Sequence, residues 1–175
     1  MTLDFKIKFE MKKYADVFID LDNTLVETHK VLTACGSRRN WKSWGEEAIV
    51  DGARALLTAL RRRGCGIHVC TNGQRLTQRQ VLVDTGLWDS VDTLVTSEEA
   101  GAEKPDERFW LYAMAVTGAR VGTTLVIGDN YDTDIVGAQR MGLDSVLLNR
   151  WQSDFVPPVP PTCVVESLVD LKFEV

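Results

Sequence analysis

Ala15-Asp16-Val17-Phe18-Ile19-Asp20 is a short apolar run that closes on a carboxylate, and Leu21-Asp22-Asn23-Thr24 follows it directly. A run this short, bounded by polar residues, predicts a buried strand rather than a helix. The pattern recurs downstream. Gly66-Ile67-His68-Val69-Cys70-Thr71, Thr93-Leu94-Val95-Thr96, Thr124-Leu125-Val126-Ile127-Gly128 and Asp144-Ser145-Val146-Leu147-Leu148 are further runs of the same kind. Between them lie stretches that read as helices. The first, Glu46 to Arg63, carries Ile49, Ala53, Leu56, Leu57 and Leu60 at helical spacing; the others are Gln74 to Thr85, Asp106 to Thr117 and Thr133 to Met141. Gly64, Gly86 and Gly142 mark helix ends, and Asp106 is a candidate N-cap. Strands that are continuously apolar and alternate with helices predict an α/β fold. Its form is a three-layer α/β/α arrangement with a mainly parallel sheet of at least five strands.

The chain has 175 residues, which fits one domain spanning 1–175. An apolar fraction of 45% and a charged fraction of 26% exclude a disordered, collagen-like or coiled-coil chain. No apolar run reaches membrane-spanning length. Met1 to Tyr14 is charged throughout and lacks the apolar core of a signal peptide, so a cytoplasmic location is expected. The net charge of -5 argues against nucleic acid as a partner. Cys35, Cys65, Cys70 and Cys163 match no zinc-site spacing and read as plain thiols, Cys70 as a small hydrophobe. Three segments depart from the strand–helix alternation. Leu3, Phe5, Ile7, Phe9 and Met11 alternate with polar residues and suggest an extra strand. Val26 to Gly45 shows no clear strand or helix. Trp151 to Pro161 is rich in proline and reads as a stiff surface loop.

A parallel sheet binds its ligands at the carboxyl ends of its strands. The first strand ends in Asp20-Leu21-Asp22-Asn23-Thr24 and the second in Thr71-Asn72-Gly73. Lys104-Pro105-Asp106 follows the third, and the fourth ends in Gly128-Asp129-Asn130, with Asp134 shortly after. Asp20, Asp22, Asp129 and Asp134 thus bring up to four carboxylates to one edge. Like charges that close do not all stay ionised without a compensating cation, and hard oxygen ligands suit Mg²⁺. Lys104 adds a fixed positive charge and Thr71 a hydroxyl. The Asn72-Gly73 turn adds backbone N–H groups near a helix start. Such a set suits a phosphoryl group. The D-x-D-x-T spacing is weak by itself; the argument rests on all these groups falling at successive strand ends.

These residues resemble the haloacid dehalogenase-like (HAD) superfamily of phosphohydrolases. Phe18 to Leu25 looks like its first motif, Thr71-Asn72-Gly73 its second, Lys104-Pro105 its third, and Gly128-Asp129 with Asp134 its fourth. The similarity spans about Ala15 to Asn149. The resemblance implies a Rossmann-like HAD fold and Mg²⁺-dependent hydrolysis of a phosphomonoester. It implies that Asp20 is the nucleophile and forms an aspartyl-phosphate. Asp22 would act first as general acid and then as base. Thr71, with Asn72 and Gly73, would hold the phosphoryl group, and Lys104 would screen its charge. Mg²⁺ would sit between Asp20, the Asp22 backbone carbonyl and Asp129, with Asp134 a nearby ligand or orienter. Asp22 and the acidic fourth motif favour phosphate chemistry over halide displacement, which needs neither acid nor metal.

Members of this superfamily often carry a large cap between the first two motifs. Here Thr71 lies 51 positions after Asp20 and the Glu46–Arg63 helix fills much of that interval. Only 26–45 remains, so a small flap replaces the cap and the chain is capless or minimally capped. An open site points to a bulky phosphorylated substrate, or to closure by another subunit. It argues against a phosphomutase, which must keep water from its intermediate. Arg38, Arg39, Trp41, Lys42 and Trp44 in the flap are candidates for substrate specificity, with packing or a dimer contact as the alternative. Asp132 reads as solvated and Arg61-Arg62-Arg63 as a helix end favoured by the dipole. His29, His68, Trp88 and Trp110 read as structural. A phosphatase is the expected activity. The rivals are a phosphotransferase and a non-catalytic phosphate-binding or receiver-like module, which would have no leaving group for Asp22 to protonate. A monomer or homodimer is expected, with no membrane partner.

Overall fold

The five apolar runs form strands where the sequence predicts them: β1 (Asp16–Ile19), β2 (Gly66–Thr71), β3 (Thr93–Thr96), β4 (Thr124–Gly128) and β5 (Asp144–Leu148). A computed structural model describes residues 14–35, 41–151 and 154–171. The alternating N-terminal segment, Arg38 and Arg39 lie outside the described residues. A sixth strand, β6 (Cys163–Val165), pairs with β5 beyond the proline-rich loop. Its three apolar residues, Cys163-Val164-Val165, are too short a run to be read as a strand. Every strand pair is parallel and the order is β3-β2-β1-β4-β5-β6. The chain moves outward from β1 to β3 and then returns to place β4 against the other side of β1. A crevice opens at the carboxyl end where the winding reverses, and that is where such sheets bind ligands. Asp20 and Asp129 are the residues that emerge there.

Helices cover both faces. α3 (Ala53–Arg62) and α4 (Arg75–Asp84) pack Leu56, Leu57, Leu60, Val81 and Leu82 against Val17, Ile19, Val69 and Ile127. α6 (Glu107–Thr117) and α7 (Val136–Arg140) pack Phe109, Trp110, Ala113 and Ala138 against Phe18, Cys70 and Val126. Successive strand residues thus face opposite apolar layers, which is why the strands are continuously apolar. Asp106 caps α6, its side chain accepting from the Arg108 N–H at 2.9 Å. A four-residue helix, α5 (Ser97–Ala100), follows β3. Among the described residues no helix is long and apolar enough to cross a membrane.

Two segments differ from the sequence reading. The Glu46–Arg63 helix is divided: a 3₁₀ turn at Gly45–Ala48 leads to Ile49, which bridges to Val26, and α3 starts only at Ala53. Gly52 makes the division. It turns with φ 84°, and a Cβ there would lie 2.9 Å from the Val169 backbone nitrogen. The 26–45 segment, expected to lack regular structure, contains α1 (Thr28–Cys35) and α2 (Trp41–Trp44). Both are too short for an apolar stripe to be read from the sequence.

Gly137 in α7 lets that helix touch α6, because a Cβ there would lie 2.1 Å from Trp110 Nε1. Trp110 is 1% exposed and cannot swing aside. Gly137→Ala is therefore expected to lower stability by about 1–3 kcal/mol, despite alanine's better helix propensity. Urea unfolding monitored by tryptophan fluorescence measures it.

Candidate active site

Lys104 precedes α6 and reaches into the crevice, where only 4% of it is exposed. Its Nζ donates to Asp20 Oδ1 at 2.7 Å, Asp134 Oδ1 at 2.6 Å and the Cys70 carbonyl at 2.8 Å. Three acceptors match the three protons of an ammonium. Asn72 locks this residue from the β2 side, accepting from the Lys104 N–H at 2.9 Å and donating to its carbonyl at 3.3 Å. Asp134 is itself buried, and its other oxygen accepts from the Asn130 N–H at 3.2 Å. The backbone of Gly128 gives it room: a Cβ there would lie 2.2 Å from Asp134 Oδ2.

Asp129 completes the cluster. One carboxylate oxygen from each of Asp20, Asp129 and Asp134 falls within 4.8 Å of the others. The Thr24 hydroxyl sits between two of them, 3.1 Å from Asp20 Oδ2 and 3.3 Å from Asp129 Oδ1, and it accepts from the Asp129 N–H at 3.1 Å. Burial pushes the Asp20 carboxyl well above the ordinary range. The Lys104 ammonium pulls it back only in part, and Asp134 and Asp129 push it further up. Burial and the neighbouring Asp134 push Asp129 up to about 6, against the opposing hydrogen bond from Thr24. Burial works against the charge on Lys104, but Asp134 and Asp20 outweigh it and raise its pKa. The Cys70 thiol is raised by burial and stays neutral.

Asp22 stands one turn away on a tight loop. Asn23 takes a left-handed conformation there with φ 65°, which asparagine tolerates, and its Oδ1 accepts from the His29 N–H at 2.7 Å to cap α1. The Asp22 carboxylate accepts from Thr28 Oγ1 at 2.5 Å and from Gln78 Nε2 at 2.9 Å. Gln78 also reaches Thr71 Oγ1 at 2.8 Å. A cleft of about 280 Å³ opens beside Asp129, between Asn130, Tyr131, Arg150, Trp151 and Phe155. Tyr131 and Phe155 meet edge to face, and Arg150 is held by Glu27 at 2.6 Å.

A model of haloacid dehalogenase-like hydrolases matches residues 38–142, more than half of the sequence. The chain belongs to this family. Among curated relatives, pyrimidine 5'-nucleotidase YjjG of Escherichia coli is 29% identical over an alignment of 203 residues, covering 98% of this chain and 86% of its own length. Ribulose-1,5-bisphosphate 5-phosphatase of Halopiger xanaduensis is 34% identical over 110 residues, 62% of this chain and 46% of its own. The chain spans about half the length of several of these relatives. The magnesium-bound structure of YfnB from Bacillus subtilis superposes with a TM-score of 0.76 at 21% identity. The match covers 91% of this chain and 97% of that one, a likeness of fold.

Within this HAD fold, Asp20, Lys104, Asp129 and Asp134 come together in the cluster. Asp22, Thr71, Asn72 and Gly73 line the adjoining wall. Within the described part of the flap, one candidate specificity residue is a packing group. Trp41 is 1% exposed and packs in the core, so its ring is a packing group and not a surface for substrate. Lys42 lies 3.7 Å from Asp84 on α4, and Trp44 is half-buried beneath Lys30. His68 pairs with Asp16 at 3.1 Å, at the opposite end of the strands. Thr28 and Gln78 did not emerge from the sequence as site residues. For Gln78 a signal existed: a polar residue on the stripe it shares with Val81 and Leu82.

The donor set fits a hard divalent cation. Three carboxylates against one ammonium leave two negative charges, and all the donors are oxygen. Because burial raises Asp20 and Asp129, the metal-free folded state holds more protons than the unfolded chain between the ordinary carboxylate range and about pH 6. Its stability is expected to rise as pH falls from about 7.5 to about 5.5. Mg²⁺ is expected to raise the melting temperature more at the higher pH, where it does not compete with protons. Thermal unfolding with and without EDTA at the two pH values measures both; a metal-free melting point that falls on acidification contradicts this electrostatic picture.

Proposed function

We propose that this chain is a Mg²⁺-dependent phosphatase that hydrolyses a phosphomonoester through an aspartyl-phosphate on Asp20. The observation that carries this reading is the clamping of Lys104 between Asp20 and Asp134 at the mouth of the crevice. A carboxylate beside a fixed ammonium is suited to meeting an anionic phosphoryl group without full charge repulsion. Phosphatase and nucleotidase relatives support the same reading, as does magnesium in the YfnB structure.

In the first step an Asp20 carboxylate oxygen attacks phosphorus and the ester P–O bond breaks. Asp22 gives its proton to the departing alkoxide. In the second step Asp22 takes a proton from water, and the water oxygen attacks the phosphorus of the aspartyl-phosphate. The bond from phosphorus to Asp20 breaks, which restores the carboxylate and releases inorganic phosphate. Thr71 and the Gly73 turn hold phosphoryl oxygens. Mg²⁺ would be held by Asp20, the Asp22 backbone carbonyl and Asp129, with Asp134 beside them, and would supply positive charge to the phosphoryl group. The cleft beside Asp129 gives room for the organic part of the substrate, and the short 26–45 segment stands in place of a large cap in a single domain.

Phosphate release from a broad panel of phosphomonoesters, with Mg²⁺ and with excess EDTA, tests the proposal. Repeated turnover is expected with metal and none with EDTA. Asp20→Asn is expected to abolish it, and Asp22→Asn to reduce it by about 10²–10⁴-fold. Phosphate passed to an added alcohol in preference to water would mark a phosphotransferase. Labelling of Asp20 without release would mark a receiver-like module.

A further inference from the structure

Gln78 stands on the buried side of α4 with no exposed surface. Its Nε2 donates to Asp22 Oδ2 at 2.9 Å, to Thr71 Oγ1 at 2.8 Å and, as the longest of the three, to the Asn72 carbonyl at 3.2 Å. A carboxylate and a carbonyl only accept, so these partners decide which end of the amide faces them. The backbone is shaped around this side chain: Gly73 has φ 140°, and a Cβ there would lie 3.1 Å from Gln78 Nε2. Thr28 Oγ1 holds the other Asp22 oxygen.

We infer that Gln78 is a positioning residue that ties Asp22 and Thr71 into one geometry for phosphoryl transfer, an inference that rests on the phosphatase reading above. Asp22 is only partly buried, so packing alone does not stop its carboxylate turning. A donor on each oxygen does stop it. Proton transfer to a leaving group requires hydrogen-bond reach and alignment, and a small displacement costs much of the rate. The contact with Thr71 has a separate effect. Gln78 occupies a lone pair of that hydroxyl and so directs its proton away from the helix, here toward the Asn72 carbonyl at 3.3 Å. In the substrate complex a phosphoryl oxygen takes that hydrogen bond.

The two effects separate by leaving group. p-Nitrophenolate departs without a proton, whereas an alkoxide needs one from Asp22. Because kcat/KM reports only the steps through departure of the leaving group, it isolates the acid step. The test compares kcat/KM for p-nitrophenyl phosphate and for the best alkyl phosphate of the panel, in wild type, Gln78→Met and Gln78→Glu. Both variants are expected to lose about 10²-fold on the alkyl ester and less than about 10-fold on the aryl ester. KM rises for both esters through Thr71. Gln78→Glu keeps the length and shape of the side chain and carries the comparison if Gln78→Met fails to melt cooperatively. Equal losses on the two esters overturn the inference, because a purely structural role lowers the active fraction for both alike. Wild type that turns over no ester is a separate result and removes the phosphatase reading itself.

Discussion

Lys104 carries its ammonium into the crevice where β1 and β4 part, and Asp20, Asp134 and the Cys70 carbonyl meet it there. Each of these acceptors comes from a different part of the chain. Removing two carboxylates and an ammonium from water is costly, and the arrangement holds only because every charge finds partners of good geometry. The rest of the site follows from that constraint. Asn72 fixes the lysine backbone, Gly128 leaves space for Asp134, and Thr24 bridges Asp20 and Asp129. Burial, together with the neighbouring carboxylates, keeps the Asp20 and Asp129 carboxyls high, and the donor set suits a cation.

The sheet converts this charge arrangement into an accessible site. Parallel strands covered on both faces expose only their ends, and reversed winding between β1 and β4 opens a crevice there. Acidic residues at strand ends elsewhere in the sheet would be solvated and silent. At the gap they sit against buried backbone, so desolvation and proximity act together. The second wall is built from β2 and α4, where Thr71, Gly73 and Gln78 adjoin Asp22. Asp20 and Asp22 thus stand close together on one loop, each held by a different wall. HAD-family membership fits this division, and Asp129, Tyr131 and Trp151 line the cleft beside the cluster.

The core strands were legible because burial on both faces leaves an unbroken apolar run, and β1 to β5 need only such runs. Asp20, Asp129 and Lys104 were legible because chemistry in a parallel sheet collects at strand ends. α1 and α2 were not, since helices of a turn or two depend on tertiary contacts more than on their own pattern. The division of the Glu46–Arg63 stretch was missed for a related reason: helical spacing continues through Gly52, while the positive φ that breaks it answers to contact with Val169. Trp41 shows how composition misleads. Tryptophan beside basic residues suits ligand recognition, but this ring is core.

By itself the sequence determined where strands β1 to β5 and the longer helices form, which end of the sheet carries acid, base and hydroxyl groups, and the family resemblance those groups share. These are local properties, set by periodicity and by which residue follows each strand. The tertiary structure alone decided that Lys104 bonds Asp134 as well as Asp20, that Gln78 joins Asp22 to Thr71, that Trp41 is buried, and that β6 extends the sheet. Each of these depends on contact between segments far apart in the chain, such as the 84 residues separating Lys104 from Asp20. No local pattern encodes such a pairing. It emerges only when packing on both faces of the sheet brings the strand ends together and excludes the water that would otherwise satisfy them.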